Sequence, residues 1–340
     1  MTTTALLRFI GARVGWAMVA ILGVCALTFV TIRIVADPIE LIAGINRTPE
    51  TIASLTEQLG LDKPIWEQFG IYVFGLAQGD LGTSTTSFLP VATEIGTRLP
   101  ATIELLVIAT LLATLVGVGL GVLAAARPAS LIDRFSQFLV QAGSSLPPFW
   151  TGLLLSYFFF ALLHIAPAPL GQLGPGVVTP SRVTGLLVVD SLLSANWAAL
   201  GSALAHLVLP SLTLALVVLP SILQITRTTV IHVLESDFIR TARSLGLSNR
   251  KIYLSYALRA SLVPIVNVVA NTLGWAISGA VFVEVVFGWP GIGSYAVTAM
   301  QAADYQPVVG VVLVSAIAYV LAYSLADILS AIIDPRIALR

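Results

Sequence analysis

The chain has 340 residues, of which 57% are hydrophobic and only 10% charged, with a mean hydropathy of +0.96. A water-soluble globule would carry about 25% charged residues, so a soluble domain is excluded and the chain reads as an integral membrane protein. The formal net charge is zero, which leaves the distribution of charge along the chain as the informative quantity.

Apolar runs near Val14–Val35, Ile103–Ala126, Phe138–Ile165, Ser202–Ile225, Val266–Phe287 and Val308–Ile333 each reach the roughly 20 residues that a helix needs to cross the hydrocarbon core. The expected fold is therefore all-α with six transmembrane helices. It divides into an N-terminal tail and first span (1–35), an external segment (36–100) and a five-helix core (101–340) carrying a cytoplasmic loop at 226–264. The first span follows a short polar lead with no small-residue cleavage site after it, so it reads as a retained anchor. Cys25 is the single cysteine and sits mid-span, where it serves as a small apolar residue.

Between the first two spans, Thr48-Pro49-Glu50 supplies an N-cap, a proline at the first helical position and an early acid, and Gly60 ends that run. A second external helix starts near Asp62-Lys63-Pro64, with Ile65, Phe69, Tyr72 and Val73 at helical spacing, so it lies on the membrane surface or on its neighbours. Trp66, Phe69 and Tyr72 are expected to pack it onto the span ends. Gly79-Asp80-Leu81-Gly82 reads as a turn.

Within the second span Gly117 and Gly121, with Gly119 between them, form a small-xxx-small face for a close helix neighbour. Pro147 and Pro148 in the third span, and Pro210 and Pro220 in the fourth, interrupt backbone pairing. They are read either as static kinks or as a gate or pathway lining. Val183–Leu193 is too short to span and reads as an interfacial segment.

Basic residues set the orientation, because short Lys/Arg-bearing loops stay on the cytoplasmic side. Arg8, Arg13, Arg127, Arg134, the six basic residues of the long loop, Arg336 and Arg340 share one side, against Arg47, Lys63, Arg98 and Arg182 on the other. Both termini are then cytoplasmic.

Catalytic chemistry is hard to find. The lysines, Lys63 and Lys251, both lack the glycine context of a phosphate-cradling loop. His164, His206 and His232 are far apart, with no His-Glu-x-x-His helix, so no metal site is expected. Acids in apolar surroundings are costly and worth naming. Glu104 is expected to be solvated near an outer end, Glu284 joins the prolines as a candidate gate or pathway residue, and Asp327 is expected to pair, with Arg259 as the partner considered. No cofactor is expected.

The stretch from Thr226 to Pro264 holds six of the seventeen basic residues: Arg227, Arg240, Arg243, Arg250, Lys251 and Arg259. Ser236 or Asp237 can cap a helix there. Phe238, Ala242 and Leu245 fall at i, i+4 and i+7, Arg240 and Arg243 project from another face, and Gly246 supplies a left-handed stop. A short amphipathic helix with a cytosolic face is expected, seated either on anionic lipid or on a partner.

The run Asp237-Phe238-Ile239-Arg240-Thr241-Ala242-Arg243-Ser244-Leu245-Gly246-Leu247 resembles the cytoplasmic signature loop of ABC importer permeases of the oligopeptide/dipeptide/nickel type. The resemblance covers nearly the whole chain. It extends through Leu59-Gly60-Leu61-Asp62-Lys63-Pro64, Gly79-Asp80-Leu81-Gly82, Arg98-Leu99-Pro100-Ala101-Thr102, Ser145-Leu146-Pro147-Pro148-Phe149-Trp150 and His206-Leu207-Val208-Leu209-Pro210. It then continues through the run from Val283 to Gly293 to the ending Asp334-Pro335-Arg336. The general importer pattern is Glu-Ala-Ala, three residues, Gly, nine residues, Ile-x-Leu-Pro. Here Arg240-Thr241-Ala242 replaces Glu-Ala-Ala, and Tyr256, Leu258 and Arg259 stand where Ile, Leu and Pro are expected; the peptide-type branch is similar in this respect.

What the resemblance implies is a non-enzymatic permease subunit of the bacterial cytoplasmic membrane. It would work by alternating access with a second homologous permease, two ATP-binding subunits and an external substrate-binding protein, and without nucleic acid. Asp237–Gly246 would be the coupling helix that docks into the ATPase. Short peptides are the expected substrate class, with nickel or another small solute as the alternative within the family. An ion-coupled secondary transporter is the rival from another class, and it lacks the paired buried charges and inverted repeat that such proteins show.

Overall fold

The computed structural model describes residues 3–35 and 62–334. They form helices: α1 (Thr3–Val35), α2 (Ile65–Ala77), α3 (Val91–Ala126), α4 (Leu131–Ser145), α5 (Pro148–Ser156, continued by a π-helical turn to Leu162) and α6 (Leu187–Leu193). The chain goes on through α7 (Trp197–Leu234), α8 (Asp237–Ser244), an irregular helical stretch from Asn249 to Ala260, α9 (Leu262–Val286), α10 (Ile292–Gln301) and α11 (Tyr305–Ile333). Among the described residues there is no sheet, only one isolated bridge between Thr83 and Pro90.

Helices α1, α3, α7, α9 and α11 are long and apolar enough to cross a membrane. The third expected span departs from the sequence reading. Instead of one helix over Phe138–Ile165, α4 and α5 meet at a bend of 110°. Prolines at 147 and 148 remove two successive N–H donors, and Leu146 (φ −93°, ψ 126°) and Pro147 (φ −62°, ψ 142°) are extended. Each precedes a proline, where the helical conformation clashes. A kink was expected; two adjacent prolines make a full break.

Two spans are longer than their apolar runs. Helix α3 begins at Val91, well before the apolar run that starts at Ile103, and Pro100 lies inside the helix. Helix α7 runs on into the expected loop, as far as Leu234. The helix expected between Thr48 and Gly60 lies outside the described residues.

The core is where α3, α7 and α9 meet. Leu105, Ala109 and Ala113 repeat every four residues on α3, and Leu214, Val218 and Ile222 do the same on α7; Ala276, Ala280 and Val283 come from α9. All are at most 1% exposed. Lipid tails are as apolar as these side chains, so close packing rather than water exclusion holds the helices together. Gly117 and Gly121 make that packing possible: a Cβ on Gly117 would meet Ile222 Cγ2 at 3.0 Å, and one on Gly121 would meet Thr226 Cβ at 2.7 Å. Gly119 points into open space.

Helix α2 leans on α1. Phe69 and Tyr72 stack on Phe29, with centroids 5.5 and 5.6 Å away, and Tyr72 Oη is 3.2 Å from Thr28 Oγ1. Trp66 is exposed rather than packed. The expected turn at 79–82 is present, with Gly79 and Gly82 at positive φ and the Gly82 amide donating to Asp80 Oδ1.

Candidate functional site

Helix α8 is a locally organised element between α7 and the irregular stretch from Asn249 to Ala260. It starts after Ser236, whose hydroxyl donates back to the Val233 carbonyl at 2.5 Å instead of accepting from α8. Its C-terminus is closed by a pair of reverse bonds, Gly246 N to Arg243 O (3.0 Å) and Leu247 N to Ala242 O (3.3 Å). This is the Schellman arrangement, which needs a left-handed residue at the turn; Gly246 supplies it at φ +74°.

Ile239 (0% exposed) and Ala242 point inward, where the helix lies against the π-helical turn at 252–257, while Phe238 and Leu245 are exposed at 49% and 75%. Of the three apolar residues at helical spacing, Ala242 is thus turned towards the permease itself and Phe238 and Leu245 are left open. Arg240 and Asp237 pair at 3.2 Å on the open face, and Arg243 and Ser244 are exposed beside Thr241. The outcome is a fixed helix that presents two apolar side chains and a charged rim to the outside of the protein.

A second feature lies at the α4–α5 break. Pro147 and Pro148 line a cavity of about 660 Å3 together with residues of α7 and α9. Pro210 and Pro220 do not line it; both are buried inside α7. Gly143 sits directly on Pro220, where a Cβ would come within 2.7 Å of the ring and 2.9 Å of the Leu216 carbonyl, the group that Pro220 leaves without a helical donor. The prolines thus divide into two that open a cavity and two that are packed into a helix.

Glu284 does not line that cavity. It is fully buried, and its carboxylate accepts from Thr102 Oγ1 at 2.6 Å and from the Ser294 amide at 2.8 Å. Thr102 in turn accepts from the Ile292 amide at 2.9 Å, and Trp289 donates its indole N–H to the Ala101 carbonyl at 2.9 Å. Ile292 and Ser294 stand in the first turn of α10, where amides have no helical acceptor. Glu284 therefore caps α10 and ties it to α3.

Residues 117–339 match the family model described as binding-protein-dependent transport system inner membrane component, and residues 6–106 match its N-terminal companion. The chain belongs to this family. It is similar to the probable D,D-dipeptide transport system permease protein DdpB of Escherichia coli (strain K12), with 40% identity over 324 residues covering 95% of each chain. It is likewise similar to the dipeptide transport system permease protein DppB of the same organism, with 36% identity over 98% of this chain and 99% of the relative. The di/tripeptide transport system permease protein DppB of Pseudomonas aeruginosa (strain UCBPP-PA14) is 37% identical over 98% and 99%.

In the permease, several acids within or beside the long helices are paired or hydrogen-bonded. Asp327 pairs with Arg13 at 3.0 Å, joining α11 to α1, and not with Arg259. Glu104 is buried, not solvated: it accepts from the Val188 amide at 2.8 Å and from Gln172 Nε2 at 3.2 Å. Asp133 and Arg227 form a bidentate pair at 2.6 and 2.9 Å that binds α4 to α7. No sequence spacing announces this pair, because its members are distant in the chain.

Outside the membrane-length helices, two aspartates organise loops. Asp190 accepts from the amides of Val183, Thr184 and Gly185 and from Thr184 Oγ1. Asp304 accepts from Ser84 Oγ at 2.6 Å and from the Thr86 amide at 3.0 Å. Burial alone would raise both carboxyls, but the converging hydrogen bonds outweigh it and hold each below the usual carboxylate range. Tyr295 is pushed well above the usual phenol value by burial and by its bond to Glu94.

Proposed function

We propose that the permease is one of two membrane subunits of an ATP-driven importer for short peptides, fed by an external substrate-binding protein and driven by two separate ATP-binding subunits. In this reading both termini are cytoplasmic, which the one-sided placement of basic residues supports. The external segment 36–100 then faces the binding protein, and 101–340 is the permease core. The peptide class is supported by the names of the relatives, which are permeases for dipeptides and di/tripeptides.

The observation that carries the coupling role is the shape of α8. It is seated on the permease by Ile239 and Ala242, closed by Gly246, and offers Phe238, Leu245 and the Asp237–Arg240 pair outward. An apolar centre with a polar rim is how protein interfaces are built. Movement of the ATP-binding subunits would push on this helix, and the spans would re-pack between outward-open and inward-open arrangements.

The test is crosslinking in the assembled importer. Leu245→Cys, exposed on the open face, is expected to crosslink to the ATP-binding subunit in a nucleotide-dependent manner, whereas Ala242→Cys, which faces inward, is not. An assembled, hydrolysing complex in which Leu245→Cys gives no crosslink excludes α8 as the docking element.

A further inference from the structure

The cavity at the α4–α5 break sets several hydroxyl-bearing side chains among apolar ones, between helices of membrane-spanning length. Its volume of about 660 Å3 suits a small ligand. Ser145 and Pro147 line it from the break, Ser221 from α7, and Thr272, Trp275 and Ser278 from one stripe of α9. No charged side chain lines it.

Three of the five lining hydroxyls present acceptors. Ser145 donates its hydroxyl to the Gln141 carbonyl at 2.8 Å, Thr272 to Val269 at 2.8 Å and Ser278 to Gly274 at 3.2 Å. Each hydroxyl hydrogen is thus spent on its own helix, which leaves the oxygen lone pairs for a ligand. The break adds to this. Pro147 and Pro148 cannot donate to the carbonyls of Gly143 and Ser144, so the C-terminal end of α4, the negative end of its dipole, faces the same region. Trp275, 73% exposed, contributes an indole ring.

We propose that this cavity is a transit subsite for the N-terminal ammonium group of the peptide, held by the oxygens of Ser145, Thr272 and Ser278 and by the ring face of Trp275. The proposal rests on the peptide-importer reading above. Acceptor dipoles and a ring face attract a cation without the tight grip of a buried carboxylate. A site on a transport path must bind well enough to be entered and weakly enough to be left. A cation over an indole contributes about 0.5–2 kcal/mol, which fits that requirement.

The experiment is uptake of labelled dialanine into vesicles containing the complete importer and its binding protein, with ATP hydrolysis stimulated by the loaded binding protein measured alongside. Trp275→Leu is expected to lower the uptake rate by roughly twofold to thirtyfold, the span of a lost cation–ring contact, while Trp275→Phe keeps most of it. Ser278→Lys is expected to stop uptake, and Ser278→Gln, of similar reach but uncharged, to lower it far less. Stimulated hydrolysis should persist in all four variants, showing that they assemble. Equal uptake by wild type and Trp275→Leu, equal loss in the Leu and Phe variants, or equal behaviour of Ser278→Lys and Ser278→Gln overturns the subsite. Failure of the wild type to take up dialanine overturns the peptide reading itself, a distinct result.

Discussion

Arg182 Nη2 donates to the carbonyl oxygen of Gly96 at 2.9 Å, the very group that Pro100 leaves without its helical donor. The loop that carries Arg182 is shaped to reach it: Gly185, at φ +82°, lies so close to the Pro100 ring that a Cβ would come within 2.9 Å. Arg182 thus mends α3 at a point where the sequence suggests that the helix should not yet have begun. Arg182→Ala should destabilise the folded permease by about 1 kcal/mol, the net worth of such a bond. In a Pro100→Ala background the new amide can bond Gly96 itself, so Arg182→Ala should then cost little. Thermal unfolding of the four proteins in detergent measures the coupling, and additive losses would show that the two residues act independently.

The same contact explains what the sequence hides. The span cores are legible because their apolar runs are long and local. Helix α3 outside Pro100 is not, because Thr93, Glu94, Thr97 and Arg98 are polar and the proline marks a boundary; the repair comes from Arg182, far away in the chain. The break at Pro147-Pro148 is legible as a disturbance, but its 110° bend depends on what α4 and α5 pack against. The Arg13–Asp327 and Asp133–Arg227 pairs are long-range in the same way. For α8, the start after Ser236 and the Gly246 stop can be read directly, whereas the missing side-chain cap and the buried face cannot, since Phe238 and Ile239 are adjacent and both apolar.

Gly246 separates backbone strain from crowding. Nothing lies within 4 Å of a Cβ built there, so any cost of substitution comes from its φ of +74°. Gly246→Val should therefore unwind the end of α8 and reduce transport, with a penalty of at least about 1–2 kcal/mol for a side chain in the left-handed region. Asn tolerates that region better, so Gly246→Asn should retain most transport. Uptake per assembled complex distinguishes them, and equal activity of the Val and Asn variants would remove the case for a conformational role.

The loops held by Asp190 and Asp304 carry a defined pH response. Asp190 and Asp304 are both held below the usual carboxylate range in the folded protein. A carboxyl depressed on folding adds stability that is complete above its unfolded pKa, about 3.9, and is lost as the pH falls through the folded value. The loops around residues 83–90 and 183–191 should thus hold their hydrogen-exchange protection at neutral and mildly acidic pH and lose it only below about pH 4. After correction for intrinsic exchange rates, loss of protection already near pH 6 would show that these carboxylates do not hold the loops.

Glu284 tests whether a buried acid in a transporter conducts or clamps. Its carboxylate joins Thr102 of α3 to the Ser294 amide of α10, and Gly291 and Gly293 close over it so tightly that a Cβ on Gly291 would collide with Glu284 Oε1 and Thr102 Oγ1. Glu284→Ala leaves a buried hydroxyl and a buried amide without their acceptor, a loss of about 1–3 kcal/mol for each. Glu284→Gln retains one carbonyl acceptor and should lose less. Gly291→Ala should reproduce the Glu284→Ala defect by pushing the carboxylate aside. All three should lose thermal stability in detergent in step with uptake, because the clamp acts through the packing of α10 on α3. A Glu284→Gln protein with wild-type stability and no uptake would instead mark the side chain as part of the conduction path.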